Sequence, residues 1–120
     1  MKSHKDLEVW RSAIQLAGSV YQTTRLYPHE ERYSITAQMR RCAVSIASNI
    51  AEGAARQGDR EFLQFLYIAL GSTSELDTQI EISKLTGLCA PAMLDQLQEA
   101  NNQVAKMLQG LIRSVKNRVS

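Results

Sequence analysis

The sequence predicts an all-α protein, an up-down-up-down antiparallel four-helix bundle. Only two prolines and six glycines occur in 120 residues, so long segments contain no helix breaker. In four of these segments, apolar residues recur at spacings of three and four, which is the period of one helix face. Short connections between successive segments make neighbouring helices antiparallel. A chain of this length predicts a single domain over residues 1–120.

The first predicted helix has two apolar stripes. It runs from about Asp6, a plausible N-cap, to about Leu26, because Pro28 disfavours the helical conformation at Tyr27. One stripe consists of Leu7, Trp10, Ile14, Ala17, Tyr21 and Thr24. The second consists of Val9, Ala13, Leu16 and Val20. The two stripes together are wider than one seam, which predicts contacts on more than one side.

The second and third predicted helices form the centre of the chain. The second runs from Ser34, a good N-cap, to about Ala55, and its stripe is Ile35, Met39, Cys42, Ile46 and Ile50. The third begins at Asp59, whose carboxylate suits a helix N-terminus, and stops at Gly87. Its stripe is Phe62, Leu66, Ala69, Thr73, Leu76 and Ile80.

The fourth predicted helix opens at Pro91, and we expect residues 116–120 to fray. Its seam is Leu94, Leu97, Val104, Leu108, Leu111 and Val115. Asn101 occupies this seam where an apolar residue is expected, a placement typical of residues that fix helix register. If the amide lacks a strong partner, leucine at this position should raise the thermal stability.

Charge is distributed unevenly along the chain, although the formal net charge is only +2. Residues 34–58 carry three basic and one acidic side chain, residues 59–90 two and five, and residues 91–120 four and two. An acidic third helix beside basic second and fourth helices suits electrostatic matching within an assembly. It equally leaves a basic face for an anionic partner.

Composition also limits the cellular setting and the chemistry. The start, MKSHKDLEVW, lacks the apolar region of a secretory signal, and no run approaches the ~18 apolar residues of a membrane span. Cys42 and Cys89 form no disulfide framework, so we expect a cytoplasmic protein without a membrane partner. His4 and His29 make no Glu-x-x-His motif, and no phosphate loop or nucleophile motif occurs. We therefore expect no metal, no cofactor, no catalytic residue and no enzymatic activity.

Two groups of polar residues are candidates for function. Asn49, Glu52, Ser72 and Glu75 are predicted to form an interhelical hydrogen-bond network that fixes register, and a polar binding site is the alternative. The candidates for nucleic-acid binding are Arg40, Arg41, Arg113, Lys116 and Arg118. The alternative for Arg40 and Arg41 is that they pair with carboxylates. The alternative for the other three is that they only reflect the general preference for cations at helix C-termini.

The run from Phe62 to Gly71 is almost wholly apolar, which one bundle cannot bury. It predicts a homo-oligomer, and its candidate interface residues are Phe62, Phe65, Tyr67 and Ile68.

Ordered motifs along most of the chain resemble the 23S rRNA intervening-sequence protein family. They are DLEVW at 6–10, QMRRCAVSI at 38–46, SNIAEG at 48–53, Glu61-Phe62, Phe65-Leu66, ALGS at 69–72 and Glu75. Ala47 stands where relatives commonly have proline, which removes a kink from the second helix. The resemblance implies a four-helix bundle that assembles as a ring of five subunits. The fold is similar to that of the accessory protein of diversity-generating retroelements, which binds nucleic acid and partners a reverse transcriptase.

Two functional classes remain open on the sequence. The first is a non-enzymatic, homo-oligomeric scaffold that binds RNA or DNA through a basic surface repeated in each subunit. The alternative is a protein–protein interaction scaffold without nucleic-acid binding, in which the apolar faces and the acidic third helix contact a protein partner. Strongly salt-dependent binding to RNA or DNA distinguishes the two.

Overall fold

The described part of the chain folds into four α-helices. The computed structural model describes residues 3–119, with the exception of the side chain of Asp6. The helices are α1 (Glu8–Thr24), α2 (Ile35–Ala54), α3 (Asp59–Thr86) and α4 (Pro91–Val119), with short 3₁₀ turns at His4–Asp6 and His29–Glu31. Residues 3–119 contain no strand, and the body measures 46 × 20 × 19 Å. The predicted all-α four-helix bundle is confirmed.

Side-chain contacts give the directions of the helices. Arg118 near the end of α4 binds Asp59 at the start of α3, whereas Lys84 near the end of α3 binds Asp95 in the first turns of α4. These two helices therefore run in opposite directions. One cavity lies between the start of α1 and the second half of α4, and another between the end of α1 and the start of α4. Thus α1 is also antiparallel to α4, and it runs in the same direction as α3.

The start of α1 differs from the prediction. Leu7, not Asp6, is the N-cap residue, because the 3₁₀ turn before it closes with a hydrogen bond from the Leu7 N–H to the His4 carbonyl at 3.1 Å. The helix ends at Thr24, two residues before the predicted Leu26. In α2, Ser34 is the N-cap as predicted, but its hydroxyl binds the Glu31 carboxylate at 2.9 Å rather than an amide of the helix.

The predicted start and end of α3 are confirmed. The helix begins at Asp59 and ends against Gly87, which adopts a left-handed conformation with φ of 66°. The N–H of Leu88 then donates to the Ser83 carbonyl at 3.1 Å and that of Gly87 to the Lys84 carbonyl at 3.3 Å. This pattern is a Schellman motif, in which glycine avoids the steric cost of a positive φ.

Helix α4 continues further than predicted. It is helical to Val119, through the residues for which fraying was expected, and Ser120 lies outside the described residues. Arg118 in its last turn pairs with Asp59 of α3. In the seam of this helix, Ile112 is buried where Leu111 was predicted, and Leu111 is only partly buried.

The core selects one of the two stripes of α1. Val9, Ala13, Leu16 and Val20 are buried. In the other stripe, Thr24 is also buried and Leu7, Trp10 and Ala17 pack partly against the core, whereas Ile14 and Tyr21 are 46% and 37% exposed. Ala47 is buried within an uninterrupted α2. None of the described helices is both long enough and apolar enough to cross a membrane.

Candidate nucleic-acid interface and polar groove

A polar groove lies between α2 and α3. Its cavity of about 410 Å³ is lined by Gln38, Arg41, Cys42, Ser45, Ser72 and Glu75. The Asn49 amide donates to the Ser45 carbonyl at 2.8 Å and to the Ser45 hydroxyl at 3.0 Å. The Ser45 hydroxyl in turn lies 3.2 Å from that of Ser72. Ser45 therefore connects the two helices, and sequence analysis missed it, although it lies one helical turn before Asn49.

The four predicted network residues do not all belong to one hydrogen-bond network. Asn49 and Ser72 are linked through Ser45. Glu52 instead binds Arg56 at 3.1 Å, one turn further along α2, with both side chains largely exposed. Glu75 is exposed and accepts a long hydrogen bond of 3.4 Å from Gln79 of its own helix. The interhelical part of the network is thus shorter than the sequence suggested.

Cys42 is an unreactive member of this groove. Its thiol donates to the Ser72 carbonyl at 3.0 Å. Burial, reinforced by the nearby Glu75 carboxylate, raises the pKa of the Cys42 thiol to about 12. A thiol with this pKa is protonated at neutral pH. Since only the thiolate is nucleophilic, we expect Cys42 to be unreactive there. Over the described part of the chain, no group of three or more His, Cys, Asp and Glu residues is placed to hold a metal ion.

The adjacent arginines face different surroundings. Arg40 is partly buried, its Nε donates to the Thr24 hydroxyl at 3.0 Å, and its guanidinium lies 4.7 Å from the centre of the Tyr21 ring. These contacts fasten α2 to α1. Arg41 is exposed at the polar groove, whose lining also includes Glu75. The pair therefore does not form one basic patch.

A basic ridge runs along α4, which we define as Lys106, Arg113 and Lys116. All three side chains are exposed, and none forms a salt bridge within residues 3–119. Lys106 was missed by sequence analysis, although it precedes Arg113 by seven residues and so lies on nearly the same face. The ridge spans about 15 Å at ~1.5 Å per residue.

Arg118 differs from its neighbours on α4. Its Nε and Nη2 donate to the two oxygens of Asp59 at 3.1 and 3.2 Å. This contact holds the pKa of Asp59 below its usual range and raises that of Arg118. Arg118 binds Asp59 at the start of α3, whereas Arg40 binds Thr24 at the end of α1, so these two candidate residues lie at opposite ends of the bundle.

The four predicted interface residues divide into two pairs. Phe62 is buried against Gly53, and Phe65 is partly buried beneath the Arg56 guanidinium, 4.9 Å from its ring centre. Both rings therefore pack within the subunit. Tyr67 and Ile68 are 47% and 52% exposed and remain available for contact with another molecule.

In the described residues, four helices pack around one apolar core, with a polar groove and a basic ridge outside it, and this arrangement defines a helical-bundle protein. The family model for the 23S rRNA-intervening sequence protein matches residues 5–110, and the chain belongs to this family. No functionally curated protein matches the sequence.

A solved structure supports the fold. It is a protein with unknown function from the S23 ribosomal protein family of Bacteroides thetaiotaomicron. The two structures superpose with a TM-score of 0.81 over 88% of this chain and 95% of that chain, at 21% sequence identity. At this identity, the similarity establishes the bundle architecture.

Proposed function

We propose that this chain is a non-enzymatic, homo-oligomeric scaffold that binds nucleic acid through a basic surface repeated in every subunit. Five subunits is the number that the resemblance implies. The proposed setting is the cytoplasm, which is consistent with the two free cysteines, Cys42 and Cys89.

Exposed apolar side chains support the assembly. Large apolar residues outside the core occur on α1 and on α3, where they include Ile14, Tyr21, Tyr67, Ile68 and Ile82. Burial of these side chains between subunits would stabilise the assembly by about 25 cal/mol for each Å² of apolar surface removed from water. Such exposed apolar surface is typical of protein–protein contact sites.

The unpaired basic ridge is the observation that carries the nucleic-acid part of the proposal. Lys106, Arg113 and Lys116 have no carboxylate partner in the described chain, so their charges are free to contact phosphates. A ring repeats the ridge once per subunit and adds the fields of all copies. Phosphate contacts of this kind release counterions and are largely independent of base sequence. Arg41 is a weaker candidate because the same groove contains Glu75.

The test compares two double variants that remove the same charge. Arg113→Ala/Lys116→Ala takes two cations from the ridge, whereas Lys5→Ala/Arg32→Ala takes two exposed cations from elsewhere. We expect the ridge variant alone to weaken binding to labelled RNA and DNA uniformly across sequences. For this variant, the slope of log K against log salt concentration should become shallower by about two for each subunit that contacts the nucleic acid.

Two outcomes contradict the proposal. If the wild-type protein is a monomer in light scattering at micromolar concentration, the assembly is wrong. Phosphate contacts are strong at ~50 mM salt, so if the wild-type protein binds neither RNA nor DNA at this concentration, the proposed nucleic-acid interface is wrong. The second outcome favours the alternative, a protein–protein scaffold, which is supported by the acidic and partly apolar exposed face of α3.

A further inference from the structure

We propose that the outer face of α1 docks against the outer face of α3 from a second copy of the chain. This inference rests on the proposed homo-oligomer and names the two surfaces that form it. The α1 seam is Arg11, Ile14, Gly18, Tyr21 and Arg25. The α3 seam is Glu61, Gln64, Ile68, Gly71 and Glu75.

Both seams are exposed and have the same spacing. Every residue of each seam is solvent-exposed. In both, successive members are three, four, three and four residues apart, which is the spacing with which two helices pack along a shared line. The seams are therefore exposed helix faces of equal length with coiled-coil spacing, whose only side-chain contacts besides those of Arg11 in the described chain are those of Tyr21 with Arg40 and of Glu75 with Gln79.

Their charges are complementary at both ends. Arg11 and Arg25 bound the α1 seam 14 residues apart, and Glu61 and Glu75 bound the α3 seam 14 residues apart. Each pair spans about 21 Å at ~1.5 Å per residue, so both arginines can meet both glutamates at once. None of the four forms a salt bridge within the described chain. Arg11 uses one nitrogen for the Lys5 carbonyl at 2.7 Å, which leaves its other donors available.

The shapes also match in a parallel pairing. Rotation about an axis along the bundle keeps helix directions, and α1 and α3 run the same way in one subunit. Aligning Arg11 with Glu61 and Arg25 with Glu75 places Gly18 opposite Ile68 and Tyr21 opposite Gly71. A Cβ at either glycine would meet no atom within 4 Å, so each glycine leaves open space for the large side chain opposite.

The two seams can be used simultaneously. Within the described chain, α1 contacts α2 and α4 but not α3, so α1 and α3 occupy opposite corners of the bundle. One copy can thus bind a neighbour through each seam. Because the seams differ, the interface is heterologous, which is the type that closes cyclic rings of any number.

Charge reversal tests the pairing directly. The variants are Arg11→Glu/Arg25→Glu, Glu61→Arg/Glu75→Arg and the combination of all four changes. We expect each double variant to be monomeric by light scattering at a concentration where wild-type protein is assembled, and the fourfold variant to regain the wild-type mass. Lys5→Glu/Arg32→Glu, which reverses two exposed cations outside the seams and outside the basic ridge, should keep the wild-type mass. Circular dichroism verifies that every variant remains helical.

Thiol cross-linking provides a second measurement. In a Gly18→Cys/Ile68→Cys variant, the two new thiols lie on opposite corners of one subunit, so a disulfide between them must join two subunits. We expect a ladder of covalent multimers under mild oxidation. Gly18→Cys/Thr78→Cys, in which the second thiol is displaced by ten residues along α3, should give none.

The outcomes separate this inference from the proposed function. An oligomeric wild-type protein whose mass survives both double reversals, or whose mass is not regained in the fourfold variant, overturns the seam pairing and leaves the scaffold intact. Absence of the disulfide ladder in an oligomeric protein does the same. A monomeric wild-type protein overturns both proposals together.

Discussion

Helix α3 approaches its two neighbours differently. Towards α2, the closest approach depends on the absence of a side chain, because a Cβ on Gly53 would lie 2.6 Å from the Phe65 Cβ, and hydrogen bonds of Cys42 and Ser45 with Ser72 join the same two helices further along. Towards α4, hydrogen bonds from amide side chains join the helices. The buried Asn101 amide donates to the Thr73 carbonyl at 2.9 Å, and the Gln98 amide donates to Asp77 and Glu81 at 2.9 and 2.8 Å.

The close approach at Gly53 and the hydrogen bonds to α4 should respond differently to substitution. A close-packed contact fails abruptly when volume is added, since backbone and Cβ atoms cannot rotate away. A hydrogen-bonded contact loses about 1 kcal/mol for each bond removed and tolerates some rearrangement. Substitutions on the two sides of α3 should therefore differ in size, and four variants test this from the largest expected effect to the smallest.

Gly53→Ala should have the largest effect. Alanine gains about 1 kcal/mol in helix propensity over glycine, but its Cβ meets Phe65 at 2.6 Å and the Phe62 ring at 3.0 Å. We expect a net loss of about 2 kcal/mol in the free energy of unfolding, measured by urea denaturation, because overpacking outweighs propensity. Gly110→Ala is the control, since its Cβ would meet only the flexible end of Arg113 at 3.8 Å and should stabilise α4. Equal stabilisation by both substitutions would refute the close-packing interpretation.

Asn101→Leu tests the opposite side. The sequence predicted stabilisation if the amide lacked a strong partner, but its nitrogen has one in Thr73, while its Oδ1 is buried without a partner. Leucine removes a hydrogen bond and inserts a larger side chain into a site that is 1% exposed. We expect a loss of about 1 kcal/mol in unfolding free energy. A rise in Tm would mean that the unpaired oxygen costs more than the hydrogen bond contributes.

Gln98→Leu should have a smaller effect than Asn101→Leu. The Gln98 amide nitrogen donates to the carboxylates of Asp77 and Glu81, and its amide oxygen accepts a hydrogen bond from Lys84. These contacts are partly exposed, so water replaces them in part, and we expect a loss of about 0.5 kcal/mol in chemical denaturation. Gln103→Leu, which removes only a 3.3 Å bond to Glu99 on the same helix, is the matched control and should change little.

The smallest effect belongs to Asp59→Asn. Arg118 lowers the pKa of Asp59, so the stabilisation from their ion pair is complete above the ordinary Asp pKa of ~3.9 and is lost as pH falls through the lower folded value. We expect wild-type protein to exceed the variant in Tm at pH 7 and low salt, and this difference to shrink below about pH 4 and in high salt. In an Arg118→Gln background, the effect of Asp59→Asn should depend less on pH, with only the part that comes from the carboxylate at the N-terminus of α3 remaining. A dependence of unchanged size would show that Arg118 does not cause it.

By itself, the sequence determined the helices and several of their ends. The stripes of α2 and α3, the start at Asp59 and the stop at Gly87 were all predicted correctly, because periodicity and backbone preference act within a few residues. The position of Asn101 in a buried seam was predicted for the same reason.

Only the tertiary structure decided which surfaces remain outside. The two stripes of α1 are both apolar, and packing against α2 and α4 selected the one with Ala13 and Leu16. The contacts of Arg40 with α1, of Ser45 with Ser72 and of Arg118 with Asp59 join residues that are 16, 27 and 59 positions apart. Local patterns carry no information on such pairs, because helix packing in three dimensions brings them together.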